Sequence, residues 1–193
     1  MAHDFNAGKR KPDRALVVDL LNLAFRWKHQ GRSDYRFDLE KTIQSFATSY
    51  KCGQIIITAD WGSSSYRKAL LPSYKENRKA LREKQTEQEA MFFEEFIAEY
   101  TETMELLEEK MPKEKLGLSH IWLISSDRDW DLLVQEGVSR FSYVTSKEVT
   151  IDNWYDHYKV SPEQYISYKC LVGDTGDNVP GIKAVGPVRA AQL

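Results

Sequence analysis

Three apolar runs that each stop at an aspartate restrict the fold of this chain more than any other feature of it. Ala15-Leu-Val-Val-Asp19, Gln54-Ile-Ile-Ile-Thr-Ala-Asp60 and Ile121-Trp-Leu-Ile-Ser-Ser-Asp127 are rich in β-branched and aromatic residues and read as buried strands. Segments of helical period stand between them. Leu20 to Lys28 puts Leu20, Leu21, Leu23, Ala24 and Trp27 on one face, and Asp38 to Tyr50 does the same with Leu39, Ile43, Phe46 and Ala47. Strand and helix in alternation imply an α/β fold with a central, mostly parallel sheet and helices on both faces. The acids then lie at the C-terminal ends of strands, the edge where open α/β sheets bind ligands.

At 193 residues the chain is long enough for one domain with a sizeable core, against a prior of about 150 residues per domain. A net charge of −2 gives no global basic field, so any nucleic-acid contact must be local. Cys52 and Cys170 form no paired pattern, which points away from a zinc site or disulfide scaffold and towards a reducing, cytoplasmic setting. No run reaches the ~18 apolar residues of a membrane span. Residues 1–13 are polar, without a signal-peptide pattern, and are expected to form a loose tail ahead of a core over 14–171.

Within that core the segment Tyr66 to Lys84 changes character. Arg67, Lys68, Lys75, Arg78, Lys79, Arg82 and Lys84 alternate with Tyr66, Pro72 and Tyr74, a composition suited to a phosphate backbone, although a solvated charged face has the same look. Glu87 to Glu109 reads as a helix whose Phe93, Phe96, Ile97, Tyr100, Met104 and Leu107 belong to the core. Met111 to Ser119 is a polar connector, Val138 to Val149 alternates like edge strands, and Ile151 to Tyr158 and Pro162 to Leu171 read as short helices. After the Ile121 run, Asp131-Leu-Leu-Val-Gln looks helical.

Any one of Asp19, Asp60 and Asp127 is more often a helix cap than a ligand. Three at one sheet edge, with Asp129 two residues beyond Asp127, repel one another unless a cation neutralises them. Magnesium favours such oxygens, and two ions ~3.5–4 Å apart support phosphodiester hydrolysis. Asp174 and Asp177 are three apart, a spacing that a helical turn places on one face. Gly181-Ile-Lys-Ala-Val-Gly186 is a glycine-bounded apolar turn that presents main-chain N–H groups to a phosphate.

These segments together resemble the 5′ nucleases, the family of bacteriophage 5′-3′ exonucleases and flap endonucleases and of the 5′-nuclease domain of DNA polymerase I. Val17-Val-Asp19-Leu-Leu-Asn22-Leu-Ala-Phe-Arg26 is similar to the first acidic motif and Thr58-Ala-Asp60 to the second. Leu71-Pro-Ser-Tyr74-Lys75-Glu-Asn-Arg78 resembles the base of the helical arch, within about 66–90. Ser126-Asp127-Arg-Asp129-Trp-Asp131 and Gly173-Asp174-Thr-Gly-Asp177 match the later acidic motifs. Gly181 to Arg189 resembles the start of a helix-hairpin-helix, here residues 172–193.

The resemblance implies a PIN-like core and a monomeric, metal-dependent nuclease acting on DNA with a 5′ single-stranded end or flap. It implies Mg²⁺ or Mn²⁺ on Asp19, Asp60, Asp127, Asp129, Asp174 and Asp177, and Lys75 as the catalytic cation. Arg26, Tyr74, Arg78, Gly181 and Gly186 are the implied DNA contacts, with K⁺ at the hairpin. Members also carry a Glu-x-Asp-Asp motif before the Ile121 strand. This chain has none there, only Glu102, Glu105, Glu108, Glu109 and Glu114 in a helical pattern, so a shortened member or fragment is expected, with hydrolysis weakened or lost. The alternatives are a non-catalytic DNA-binding relic or split-enzyme fragment and, from Asp127-x-Asp129, a haloacid-dehalogenase-like phosphatase. That phosphatase motif continues with Thr or Val where Asp131 stands.

Overall fold

The first strand, β1 (Lys11–Asp19), is an interior strand of the sheet and is apolar on both faces: Ala15, Leu16 and Val18 are fully buried. A computed structural model describes residues 10–60, 65–110 and 117–193, with the side chains of 108–110 excepted. The expected tail over 1–9, the loop 61–64 and most of the connector, 111–116, lie outside the described residues. After β1 come α1 (Leu20–Lys28), α2 (Arg36–Ser49), β2 (Cys52–Thr58), α3 (Ser65–Leu70), α4 (Glu76–Arg82) and α5 (Glu87–Lys110). The chain continues with β3 (His120–Ile124), a 3₁₀ turn (Arg128–Leu133), β4 (Val138–Ser142), β5 (Lys147–Val149), α6 (Trp154–His157), α7 (Tyr165–Val172), a two-stranded hairpin of β6 (Gly173–Asp174) and β7 (Val179–Pro180), and α8 (Pro187–Ala190).

The main sheet has the order β2-β1-β3-β4-β5, with the first four strands parallel and β5 antiparallel at the edge. Its register pairs Asp19 with Thr58, and Val18 with both Ile57 and Ile124, so the three acid-tipped runs end at the same level. Helices α2 and α5 complete the core, Leu39, Ile43 and Ala47 from one and Phe96, Tyr100 and Leu107 from the other joining Leu16 and Val18. Each buried Leu, Ile, Val or Phe among them contributes about 1.5–3 kcal/mol by leaving water.

Two compact units are distinguished, residues 1–60 with 92–151, and residues 61–91 with 152–193. This differs from the expected division at 171/172. The reason is hydrogen bonding of the basic segment around α4 to the acidic turn: Asn178 Nδ2 donates to the Ser73 carbonyl at 2.8 Å, and the Lys75 N–H to the Asp177 carbonyl at 3.0 Å. The second unit has an aromatic core of its own. Trp154 is 1% exposed, its indole N–H donates to the Val160 carbonyl at 2.8 Å, and its ring meets Tyr165 edge-on at 5.3 Å.

Three local expectations need correction. The strand begins at Lys11 rather than after a tail ending at 13, because Lys11 N–H bonds the Lys51 carbonyl at 2.8 Å and Arg10 reaches Thr48 Oγ1 at 2.9 Å. The segment after Asp127 is a 3₁₀ turn rather than an α-helix, since Asp131 is drawn into the interior by Arg140. Asp174 and Asp177 lie on a hairpin turn, not a helical one.

Candidate functional site

In the first unit the site is built on Asp19, whose backbone is extended while its side chain caps α1: Oδ1 accepts from the Asn22 N–H at 3.2 Å. Its other oxygen, Oδ2, accepts from the Ser125 hydroxyl at 2.8 Å. Ser125 in turn accepts from the Asp127 N–H at 3.1 Å, and Asn22 Oδ1 accepts from the Ser126 N–H at 2.9 Å. The ends of β1 and β3 are thereby clasped together. Asp127 caps the 3₁₀ turn by accepting from the Asp129 N–H at 2.9 Å.

Burial holds the Asp19 carboxyl above its ordinary range, and the nearby carboxylates of Asp60 and Asp127 push the same way against two hydrogen bonds that lower it. No Lys or Arg among the described residues pairs with these three acids. Asp19, Asp60 and Asp127 are therefore brought to one sheet edge as excess negative charge, as their positions in the sequence imply. All the donors there are hard oxygens, which fits a hydrated divalent cation in kind. Among the described residues no group of three or more His, Cys, Asp or Glu side chains is placed to hold a metal ion.

Arg140, Ser125, Asn22 and Tyr143 support this edge and were not singled out by sequence reasoning. The Arg140 guanidinium grips Asp131 with its Nε on Oδ1 and its Nη2 on Oδ2 at 2.9 Å, and its Nη1 donates to the Ser125 carbonyl at 3.0 Å. Tyr143 donates to the Asn22 carbonyl, and burial pushes its pKa up to about 12. A Ser-Ser pair directly before a strand-end aspartate was the available signal. Arg140, alternating with apolar residues in β4, had none. Arg26 is exposed on α1 and lines an open groove with Trp27, Asp38 and Lys41.

In the second unit Asp177 is the hub of the basic segment. Its Oδ1 accepts from Arg78 at 2.6 Å, its Oδ2 from the Tyr74 hydroxyl at 3.0 Å, and the Lys75 ammonium stands 3.6 Å from Oδ2. Lys75 has φ 58, a left-handed conformation uncommon for a side-chain-bearing residue. Asp174 Oδ1 accepts from the N–H groups of Gly176 and Asp177 at 2.9 and 3.2 Å, fixing the turn. Gly173 and Gly181 let the hairpin strands and the end of α7 touch: a Cβ on Gly181 would strike the Val172 carbonyl, and one on Gly173 the Gly181 nitrogen. Gly186 faces open space.

A mostly parallel sheet with acidic strand ends in one unit, and a basic segment latched to an acidic hairpin in the other, are the parts of a PIN-like α/β nuclease fold. The chain is 35% identical to the flap endonuclease of Escherichia phage T5 over 198 residues, 92% of this chain and 68% of that protein. It is 24% identical to flap endonuclease Xni of Shewanella loihica over 94% of this chain and 75% of that one. Crystal structures of T5 5′-exonuclease with zinc and of T5 flap endonuclease in a pseudo-enzyme-product complex with DNA and metal ions superpose with TM-scores of 0.83 and 0.84, each at 34% identity over 93% of this chain and 73% of the other. No family model matches the chain. It belongs to the flap endonuclease and 5′-3′ exonuclease family.

Proposed function

We propose that this protein is a metal-dependent 5′ nuclease that hydrolyses phosphodiesters of DNA bearing a 5′ single-stranded end or flap, acting as a monomer. The observation that carries it is the placement of Asp19, Asp60 and Asp127 at one sheet edge of this family's fold with no basic side chain among the described residues set against them. Mg²⁺ or Mn²⁺ is the fitting cation for Asp19, Asp60, Asp127 and Asp129 of the first unit, and Asp174 and Asp177 of the second unit are proposed as cation ligands in their own right. A divalent ion held by these carboxylates would supply the Lewis acidity that phosphodiester hydrolysis needs at the attacking water and the leaving oxygen. K⁺ at the Gly181–Gly186 turn would help hold duplex phosphates.

The chain's own residues supply the rest. Ser125 and Asn22 fix the orientation of Asp19, so the carboxylate needs no rearrangement when charge develops. Lys75 donates positive charge to the scissile phosphate, and Arg26, Tyr74 and Arg78 steer the strand through its backbone without reading sequence. In the state described here, Lys75 and Arg78 are neutralised by Asp177, and DNA phosphates compete for them. Identity spread over nine-tenths of the chain favours catalysis over a binding-only relic, despite the missing Glu-x-Asp-Asp motif.

A labelled 5′-flap oligonucleotide incubated with the protein tests this. Cleavage is expected with Mg²⁺, none with EDTA, and none in Asp127→Asn. Tight binding without cleavage at any Mg²⁺ or Mn²⁺ concentration would establish the relic instead.

A further inference from the structure

An open cleft of about 430 Å³ in the first unit is lined by Arg26, His29 and Gln30, from α1 and the turn after it, together with Phe46 of α2, Phe141 of β4 and Tyr143. The three rings are half-buried, each packing against the core while it lines the cleft. Among the described residues no carboxylate lines it. An adjoining groove shares Arg26 and Gln30 and adds Lys41, and its one acid, Asp38, accepts from Arg32 at 2.8 Å.

Hydrogen bonds tie this cleft to the acidic edge. Tyr143 donates to the Asn22 carbonyl, and the N–H of Val144, which also lines the cleft, donates to Ser126 Oγ at 3.3 Å. The Asn22 N–H donates to Asp19 at 3.2 Å, and Ser126 stands next to Asp127 in the chain. The cleft therefore begins one residue away from acids that would face a scissile phosphate. Aromatic walls accept the face of any base, cations accept a phosphate, and the Gln30 amide, both donor and acceptor, suits either kind of base edge. A volume of this size admits one small guest. A base within a duplex has both faces covered by its neighbours, and an acidic peptide would satisfy the cations but offer the rings no flat partner.

We infer that the cleft binds one unpaired nucleotide of the DNA strand held at the acidic edge, its base against Phe46, Phe141 and Tyr143 and its phosphate on Arg26 and His29. This rests on the 5′-nuclease reading above and adds to it a subsite for a base.

Flap DNA carrying iodouracil at one position at a time on either side of the junction, irradiated with the protein in EDTA so that no strand is cut, tests it. Unpaired positions beside the junction are expected to cross-link to a peptide containing Phe46 or Phe141 to Tyr143. Phe46→Leu removes a ring and keeps an apolar side chain, and it should weaken binding of flap DNA about 5- to 150-fold, the worth of one stacked base. Val144→Glu, at a side chain 69% exposed, keeps the test open should Phe46→Leu lower stability, and it should weaken binding more than Thr145→Glu, one residue on and outside the lining. Cross-links confined to the second unit, cross-links from paired positions only, or equal binding by Val144→Glu and Thr145→Glu overturn the inference. If the wild type cuts the flap in Mg²⁺ but does not cross-link here, only this inference fails. If it neither binds nor cuts, the 5′-nuclease reading fails with it.

Discussion

Replacing Asp131 by alanine removes the carboxylate from an ion pair that has almost no water around it. Asp131 is 1% exposed and Arg140 4%, and the two meet through a bidentate fork, with the third guanidinium contact on the Ser125 carbonyl at 3.0 Å. The pair's net contribution against an apolar replacement is small, since desolvation offsets most of the attraction. Breaking it is different. Alanine leaves a guanidinium buried without its counter-charge, which costs about 3–5 kcal/mol, a large part of the ~5–15 kcal/mol that holds a domain folded. At ~2–4 °C per kcal/mol for a chain of this size, the unfolding temperature should fall by roughly 6–20 °C. Urea unfolding followed by circular dichroism and tryptophan fluorescence measures the loss. The double substitution Asp131→Leu/Arg140→Met should recover most of it, yet flap cleavage should stay depressed, because Arg140 no longer holds the Ser125 carbonyl and Ser125 orients Asp19. A single variant within about 1 kcal/mol of wild type, or a double variant no better than the single one, would refute the reasoning.

Lys75→Ala should lower kcat on a 5′-flap substrate by about 10²-fold or more with little change in KM, as expected for charge needed mainly in the transition state, read by single-turnover kinetics. Gly181→Ala should loosen the hairpin by about 1–3 kcal/mol through the clash with the Val172 carbonyl, seen as faster hydrogen exchange at the Ile182 amide, which now bonds the Leu171 carbonyl at 2.8 Å. Gly186→Ala, facing open space, should be near neutral in stability by the same measurement. His120, with its Nε2 buried and unpartnered, has its pKa lowered first by burial and then by Arg14. Its protonation is therefore disfavoured in the folded state, which costs nothing above the ordinary histidine pKa and destabilises progressively as pH falls below it. His120→Gln should lose less stability than wild type between pH 7.5 and pH 5 in parallel urea titrations.

What the sequence alone determined is local and periodic. Apolar runs bounded by acids define β1, β2 and β3, and helical spacing gives α1 and α5 to within a residue, since side-chain period follows directly from backbone geometry. The strand-end position of Asp19, Asp60 and Asp127 follows from the same pattern, and a parallel sheet must bring such ends to one edge. Only the tertiary structure decided which oxygens are engaged and by what. Ser125 reaches Asp19 across 106 residues and Tyr74 reaches Asp177 across 103, contacts for which no spacing rule exists. It also made Asp131 a buried partner of Arg140 instead of a helical surface acid, and gave Asp177 to the basic segment. Burial and pairing are properties of where distant segments meet, and the free energy of a charge depends on its neighbours rather than on its place in the chain.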